Sequence, residues 1–387
     1  MIKQVVIFRD FVMGELGIGG TFIQRSISSM NDLFSYQISQ ATGLPIVSIF
    51  DCLDVCRFIE LNKIDKNFSN IQTWLHLSQN ITVKAENYLA ESLQGSLVFG
   101  NHSPNILIRS LIKHDIPFLD IFETAYRYMQ DCFLGIRSNI NSVNNYVRNN
   151  QLSVHTMYAS ANYLKAYYNN KGPNKYETKI NENSCLLIGQ TKCDTVLMNG
   201  NSFVSLNDYK DEIIKISKDY DTLYYKQHPI EKLPKEVLLF LKNIPNAQEI
   251  FDNTYKIISN KNIKLVFGLN SGVLYEAKFF GKEAQFLFKK NYNYTQDGVE
   301  DAPNIFTIIN SNSHIFKINF WADALKDITK TSFIDEKDDV FFENYQELFS
   351  SYLNIASAFE LSIYKKSIQD SFLRKLKRKI KEKIRMN

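Results

Sequence analysis

Short apolar runs, each followed by a turn and then by a stretch with helical spacing, recur along this chain. That alternation is the strongest constraint on its fold. The runs are VVIF at 5–8, PIVSIF at 45–50, SLVFG at 96–100, CLLI at 185–188, LYY at 223–225, KLVFG at 264–268 and AQFLF at 284–288. Unbroken apolar runs of this length read as strands buried on both faces, and strands alternating with helices build parallel sheets. The scheme is interrupted once. A polar stretch at 138–150 and a helical pattern, SVHTMYASANYLKAYY, lead into NNKGPNKYETKINENS at 169–184, which reads as a linker. After it the alternation restarts, with Ile213, Ile214 and Ile216 on the inner face of an amphipathic helix. At 387 residues the chain exceeds a single ordinary core. The expected fold is therefore α/β, with two Rossmann-like parallel-sheet lobes facing a cleft, residues 1–170 and 171–330. Helices at 331–371 and a basic tail at 372–387 follow. Ligands of such sheets sit at the carboxyl ends of the strands.

Charge narrows the partners. Residues 373–387 hold eight Lys/Arg against the single acid Glu382, a net +7, so the remainder carries −3 of the overall +4. A mildly acidic body argues against nucleic acid, which needs a basic face on the folded domain. In the tail, Leu373, Leu376, Ile380 and Ile384 fall on one helical face among Lys and Arg, a pattern suited to an anionic membrane surface. The five cysteines (52, 56, 132, 185, 193) form no CxxC pair and only six histidines occur. Neither a zinc knuckle nor a disulfide framework is expected, and a reducing cytoplasm fits. VVIF runs directly into Arg9 and Asp10, unlike a secretory signal, and no run of about 18 apolar residues spans a bilayer.

Three strand ends in the second half are polar in a coordinated way: Gly189-Gln190-Thr191-Lys192-Cys193-Asp194, Lys226-Gln227-His228-Pro229 and Asn270-Ser271-Gly272. In a parallel sheet all three reach the same edge. Asn270 or Ser271 could cap the following helix while its free N–H groups hold a phosphate, with Gly272 allowing close approach. Glu276, a turn further on, could accept from a ribose diol. Lys226 and His228 could bind a phosphate or the carboxylate of an acidic sugar. Asp194 would stand beside the anomeric carbon as nucleophile or charge stabiliser. Singly, each residue reads as well as a cap, turn or surface residue; the ordered set carries the functional reading.

GQTKCD, KQHP and NSGVLYEAKFFGK together resemble the retaining β-Kdo transferases of bacterial capsule and lipopolysaccharide synthesis over roughly residues 184–288. The resemblance implies a GT-B-like fold, a CMP-activated keto-acid sugar as donor, no cofactor and no metal. It makes Asp194 the carboxylate nucleophile, with Gln190, Lys226, His228, Asn270, Ser271, Gly272 and Glu276 on the donor. The first lobe becomes the acceptor side, where Glu123 is the acid/base candidate and Asp131 the alternative. There the sequence reads Phe-Glu-Thr instead of the capsule enzymes' Glu-Asp-Gly. GELGIGG lacks dinucleotide-binding spacing and reads as a cleft loop, with Glu15 a further acceptor-side candidate. Asp219-Tyr220-Asp221 matches the DxD of metal-dependent transferases but falls at a helix end before a strand, and reads as surface. A saccharide or lipid-linked glycan acceptor fits attachment of the tail to the inner face of the cell membrane. The rival expectations are an inverting CMP-sialic acid sialyltransferase and a non-catalytic sugar-binding subunit of a polysaccharide assembly complex.

Overall fold

The computed structural model describes residues 2–8, 10–16, 33–65, 67–129, 134–170, 178–192, 194–228, 231–288, 309–310 and 313–340. The basic tail, most of the GELGIGG segment, Asp131 and Pro229 lie outside the described residues.

The first lobe contains β1 (Gln4–Phe8), β2 (Ile46–Ser48), β3 (Ser96–Asn101), β4 (Phe118–Glu123) and β5 (Leu134–Ser138). The second contains β6 (Ser184–Ile188), a small hairpin of β7 (Met198–Asn199) and β8 (Ser202–Phe203), then β9 (Thr222–Lys226), β10 (Ala247–Glu249), β11 (Ile263–Gly268) and β12 (Glu283–Phe286). A last strand, β13 (Ile309–Asn310), returns to the first sheet.

The second sheet runs β10-β9-β6-β11-β12 with every neighbouring pair parallel, as the apolar runs require. Its central strand β6 is buried throughout. The first sheet runs β13-β5-β4-β3-β1-β2 and is parallel from β2 through β4 only. β5 pairs antiparallel with β4, and β13 antiparallel with β5. The expected Rossmann-like parallel core spans β2 to β4, and β5 and β13 add an antiparallel edge to it. The segment joining β4 to β5 is too short for the helical crossover that a parallel neighbour needs.

Both crossings between lobes differ from the linker-based boundaries. Helix Val154–Asn170 buries Met157, Ala161 and Leu164 in a cluster with Ile257, Ile258 and Phe279, so it packs on the second lobe. Helix Ile318–Leu325 buries six of its eight residues, an apolar load that needs a core on most of its circumference. It finds one on the first lobe: Trp321 is fully buried beside Phe34 and Phe99 and donates from Nε1 to the Ile315 carbonyl at 2.9 Å. Residues 313–340, divided by sequence between the second lobe and the C-terminal helices, are built onto the first lobe.

Among the described residues the lobes touch on two sides. On one side Tyr126 and Tyr128, following β4, pack with Tyr255, Phe279 and Phe280. On the other, Phe203 of the hairpin lies 6.2 Å from Trp74, ring centre to ring centre, and Gln79 Nε2 donates to the Gly200 carbonyl at 2.6 Å. Among the described residues no helix is long and apolar enough to cross a membrane.

Candidate active site

Parallel registers align the carboxyl ends of β9, β6 and β11, with Lys226 opposite Ile188 and Ile188 opposite Gly268. Gly189 then passes so close to β9 that a Cβ there would stand 3.0 Å from the Lys226 carbonyl and 3.2 Å from the His228 nitrogen. A side chain at this position would need the β9 backbone to give by a few tenths of an ångström, so glycine suits the convergence of these two strand ends. The next residue joins the third strand. The Gln190 amide accepts from Asn270 N at 3.0 Å and donates to the Asn270 carbonyl at 3.3 Å, in the manner of a backbone partner. Its Nε2 also donates to Asp194 Oδ2 at 3.1 Å. The other Asp194 oxygen accepts from Val196 N at 3.1 Å and caps the 3-10 turn Thr195–Leu197. Asp194 is half-buried, with both carboxylate oxygens held by donors.

His228 sits within the field of Asp194 and Glu231, yet burial first, and then the Arg127 charge, hold its imidazole below the ordinary histidine range. Lys226 is likewise shifted down by burial, against the pull of Asp252. Glu231 accepts from Lys192 N at 2.9 Å and ties the loop after β6 to the one after β9. Asn270 is buried and accepts from the Tyr275 hydroxyl at 3.3 Å. Gln190, Asp194, Lys226, His228, Asn270 and Ser271 thus occupy one edge of one sheet.

Three donor-side expectations change. Ser271 stands at the N-cap position, but its side chain makes no capping bond, and the helix it opens, Gly272–Glu276, is a five-residue turn continued by a 3-10 segment. Gly272 faces the first lobe: a Cβ there would lie 3.5 Å from the Ala125 carbonyl. Glu276 is 1% exposed, and its Oε1 accepts from Arg127 N at 2.6 Å and the Tyr255 hydroxyl at 3.1 Å. Burial pushes its carboxyl up to about 8, against the hydrogen bonds from Arg127 and Tyr255. A carboxyl sealed into the lobe boundary does not present two lone pairs to a ribose diol. The apolar residues around it, Leu274, Tyr275 and Ala277, pull that face of the helix inward.

On the first lobe, Glu123 ends β4 opposite Leu134; its side chain is outside the description, as is all of Asp131. Glu15 is the exposed end of the helix Phe11–Glu15, whose Phe11, Val12 and Met13 are buried, and it accepts from the Cys56 thiol at 3.3 Å. Asp219 and Asp221 lie at the turn before β9, at the opposite edge of the sheet from Asp194. Among the described residues no group of three or more His, Cys, Asp or Glu is placed to hold a metal ion.

Sequence reasoning overlooked the first lobe's own polar strand ends. After β1, Asp10 accepts from Met13 N and Trp74 Nε1, both at 2.9 Å, and burial raises its carboxyl above the usual range. After β3, His102 takes a left-handed φ of 48°, and its ring lies 4.7 Å from that of Phe122. Burial, followed by the Arg137 and Arg127 charges, pushes this imidazole down to about 3. Behind it Asp120 accepts from Arg137 Nε at 2.9 Å and Ser103 Oγ at 2.8 Å, while Arg137 also donates to Asn105 and the Ser103 carbonyl. This fully partnered buried pair fixes the turn after β3. The available signal was the NHSPN that follows SLVFG, a polar strand end like the three in the second lobe.

Two Rossmann-like lobes, each with polar side chains at its strand ends, define a GT-B-like α/β protein. No family model matches the chain, and no curated protein matches it. Among solved structures it is similar to the β-Kdo 2,7-transferase of Thermosulfurimonas dismutans KpsC (14% identity, 71% of this chain, 90% of that one, TM-score 0.34). It is also similar to the β-Kdo 2,4-transferase of the same KpsC (13% identity, 67% and 88%, TM-score 0.32). A third similar structure is the UDP-GlcNAc 2-epimerase of Neisseria meningitidis bound to UDP-GlcNAc (12% identity, 96% and 100%, TM-score 0.30).

Proposed function

We propose that the chain is a metal-independent glycosyltransferase that moves Kdo, or a similar keto-acid sugar, from its CMP donor to a saccharide hydroxyl with retention. The observation that carries this reading is the meeting of Gln190, Asp194, Lys226, His228, Asn270 and Ser271 at one carboxyl edge of an all-parallel sheet. The Asp194 carboxylate attacks C2 of the sugar, and the C2–O bond to phosphate breaks with its electron pair leaving on CMP. An acceptor hydroxyl, deprotonated by Glu123, then attacks C2 and expels Asp194. Lys226 and His228 supply cationic and N–H character for the departing phosphate and the sugar carboxylate. Gln190 positions the nucleophile through its bond to Oδ2.

One observation favours a second reading. Both Asp194 oxygens accept hydrogen bonds, which suits a positioning carboxylate as well as a nucleophile. In that reading the enzyme is an inverting sialyltransferase with a single base. Incubation with CMP-Kdo and CMP-sialic acid in separate tubes, with CMP release, intact-mass search for an adduct and NMR of the product anomer, tests both. Failure to turn over either donor with any saccharide would leave the non-catalytic subunit. The acceptor is proposed to be lipid-linked, with the 372–387 tail on the anionic inner face of the membrane. Loss of binding to phosphatidylglycerol vesicles on removal of residues 372–387 is the expected result.

A further inference from the structure

With Glu276 sealed into the lobe boundary, the ribose contact expected of it is absent, and the nucleoside of a donor needs another seat. A cavity of about 500 Å³ opens at the same sheet edge, within the roughly 300–1,000 Å³ of small-molecule sites. Its floor is apolar, from Leu197, Phe203, Leu206, Leu233, Val237 and Leu269. Its rim is polar and includes Gln190, Thr191, Lys192, Ser205 and Glu236. Gln190 is shared: the residue lines this cavity, and its side chain bonds Asp194 and Asn270, so the cavity adjoins the reacting edge.

We propose that this cavity seats the pyrimidine nucleoside of the donor, its base against the apolar floor and Glu236 accepting from the exocyclic amine of cytosine. The inference rests on the nucleotide-sugar reading above and replaces Glu276 with residues on the far side of Gln190. A flat ring with polar edges suits an apolar floor ringed by hydroxyl, amide and carboxylate groups. A carboxylate at the rim accepts from the cytosine amine but meets only a carbonyl oxygen in uracil, so it selects between the two. An alkyl chain would leave those rim groups without partners.

The test is calorimetric titration of the full chain with CMP, UMP and decyl phosphate. Val204→Trp, which pushes an indole in from a half-exposed wall position, is expected to weaken CMP binding at least tenfold with an unchanged melting curve. Glu236→Gln, on an exposed helix turn, stands in should the tryptophan variant not fold, and is expected to reduce the preference for CMP over UMP roughly tenfold. Asp194→Asn is expected to bind CMP as the parent does while losing turnover. CMP binding unaffected by both cavity variants would overturn the nucleoside seat and leave the transferase reading standing. Loss of decyl phosphate binding alone would assign the cavity to an alkyl chain and also overturn it. A parent protein that binds neither nucleotide would bring down both.

Discussion

Asp194 is oriented by Val196 N and by the Gln190 side-chain amide, which is itself clamped to another strand, so the side chain that holds the carboxylate matters as much as the carboxylate. Asp194→Asn should reduce transfer by at least ~10³-fold, measured as CMP release, while CMP affinity survives. Gln190→Ala breaks the bond to Oδ2 and removes the Oε1 acceptor of Asn270 N. We expect a loss of about 1–2 kcal/mol in stability by denaturant titration, with kcat falling more than KM rises. Convergence of the strand ends was readable in advance because the parallel arrangement follows from the apolar runs alone. The fate of Glu276 was not, since nothing local distinguishes a carboxyl that meets a ligand from one that meets the backbone of a residue 149 positions away.

At the scale of elements, the turns after β3 and β4 and the helix 272–276 form a boundary with two titrating groups of opposite sense. The Glu276 carboxyl is raised from 4.5 to about 8. Its contribution is fully present below pH 4.5 and is lost as pH rises through 8. Glu276→Gln, permanently neutral, should flatten the alkaline fall in melting temperature between those limits. His102 is depressed from 6.5 to about 3, so its contribution is present above pH 6.5 and fades as pH falls toward 3, because the unfolded chain takes up the proton first. His102→Asn should remove that part of the acid slope, as followed by circular dichroism. Both groups feel Arg127, whose main chain the Glu276 carboxyl grips, so the two elements share one electrostatic environment.

For the whole molecule, the return of β13 and helix Ile318–Leu325 makes the first lobe discontinuous in sequence, while the second runs from helix Val154–Asn170 to β12. Trp321→Ala empties a fully buried site between Phe34, Phe99 and Phe320 and should cost about 3–5 kcal/mol. Unfolding of the first sheet, followed by hydrogen exchange at β3 and β4, is expected to respond, although residue 321 lies far beyond them in sequence. The sequence by itself determined that there are two α/β lobes, that the second sheet is parallel, and which polar strand ends share an edge. Each of these follows from local periodicity, and strand direction carries polar ends to a common edge without further information. Only the tertiary structure decided that β5 runs antiparallel, that helices 154–170 and 318–325 change lobes, and that Glu276 closes the boundary while a cavity opens beside Gln190. These outcomes depend on which apolar faces find each other across long separations. An apolar stripe specifies that it must be covered, and leaves open by what.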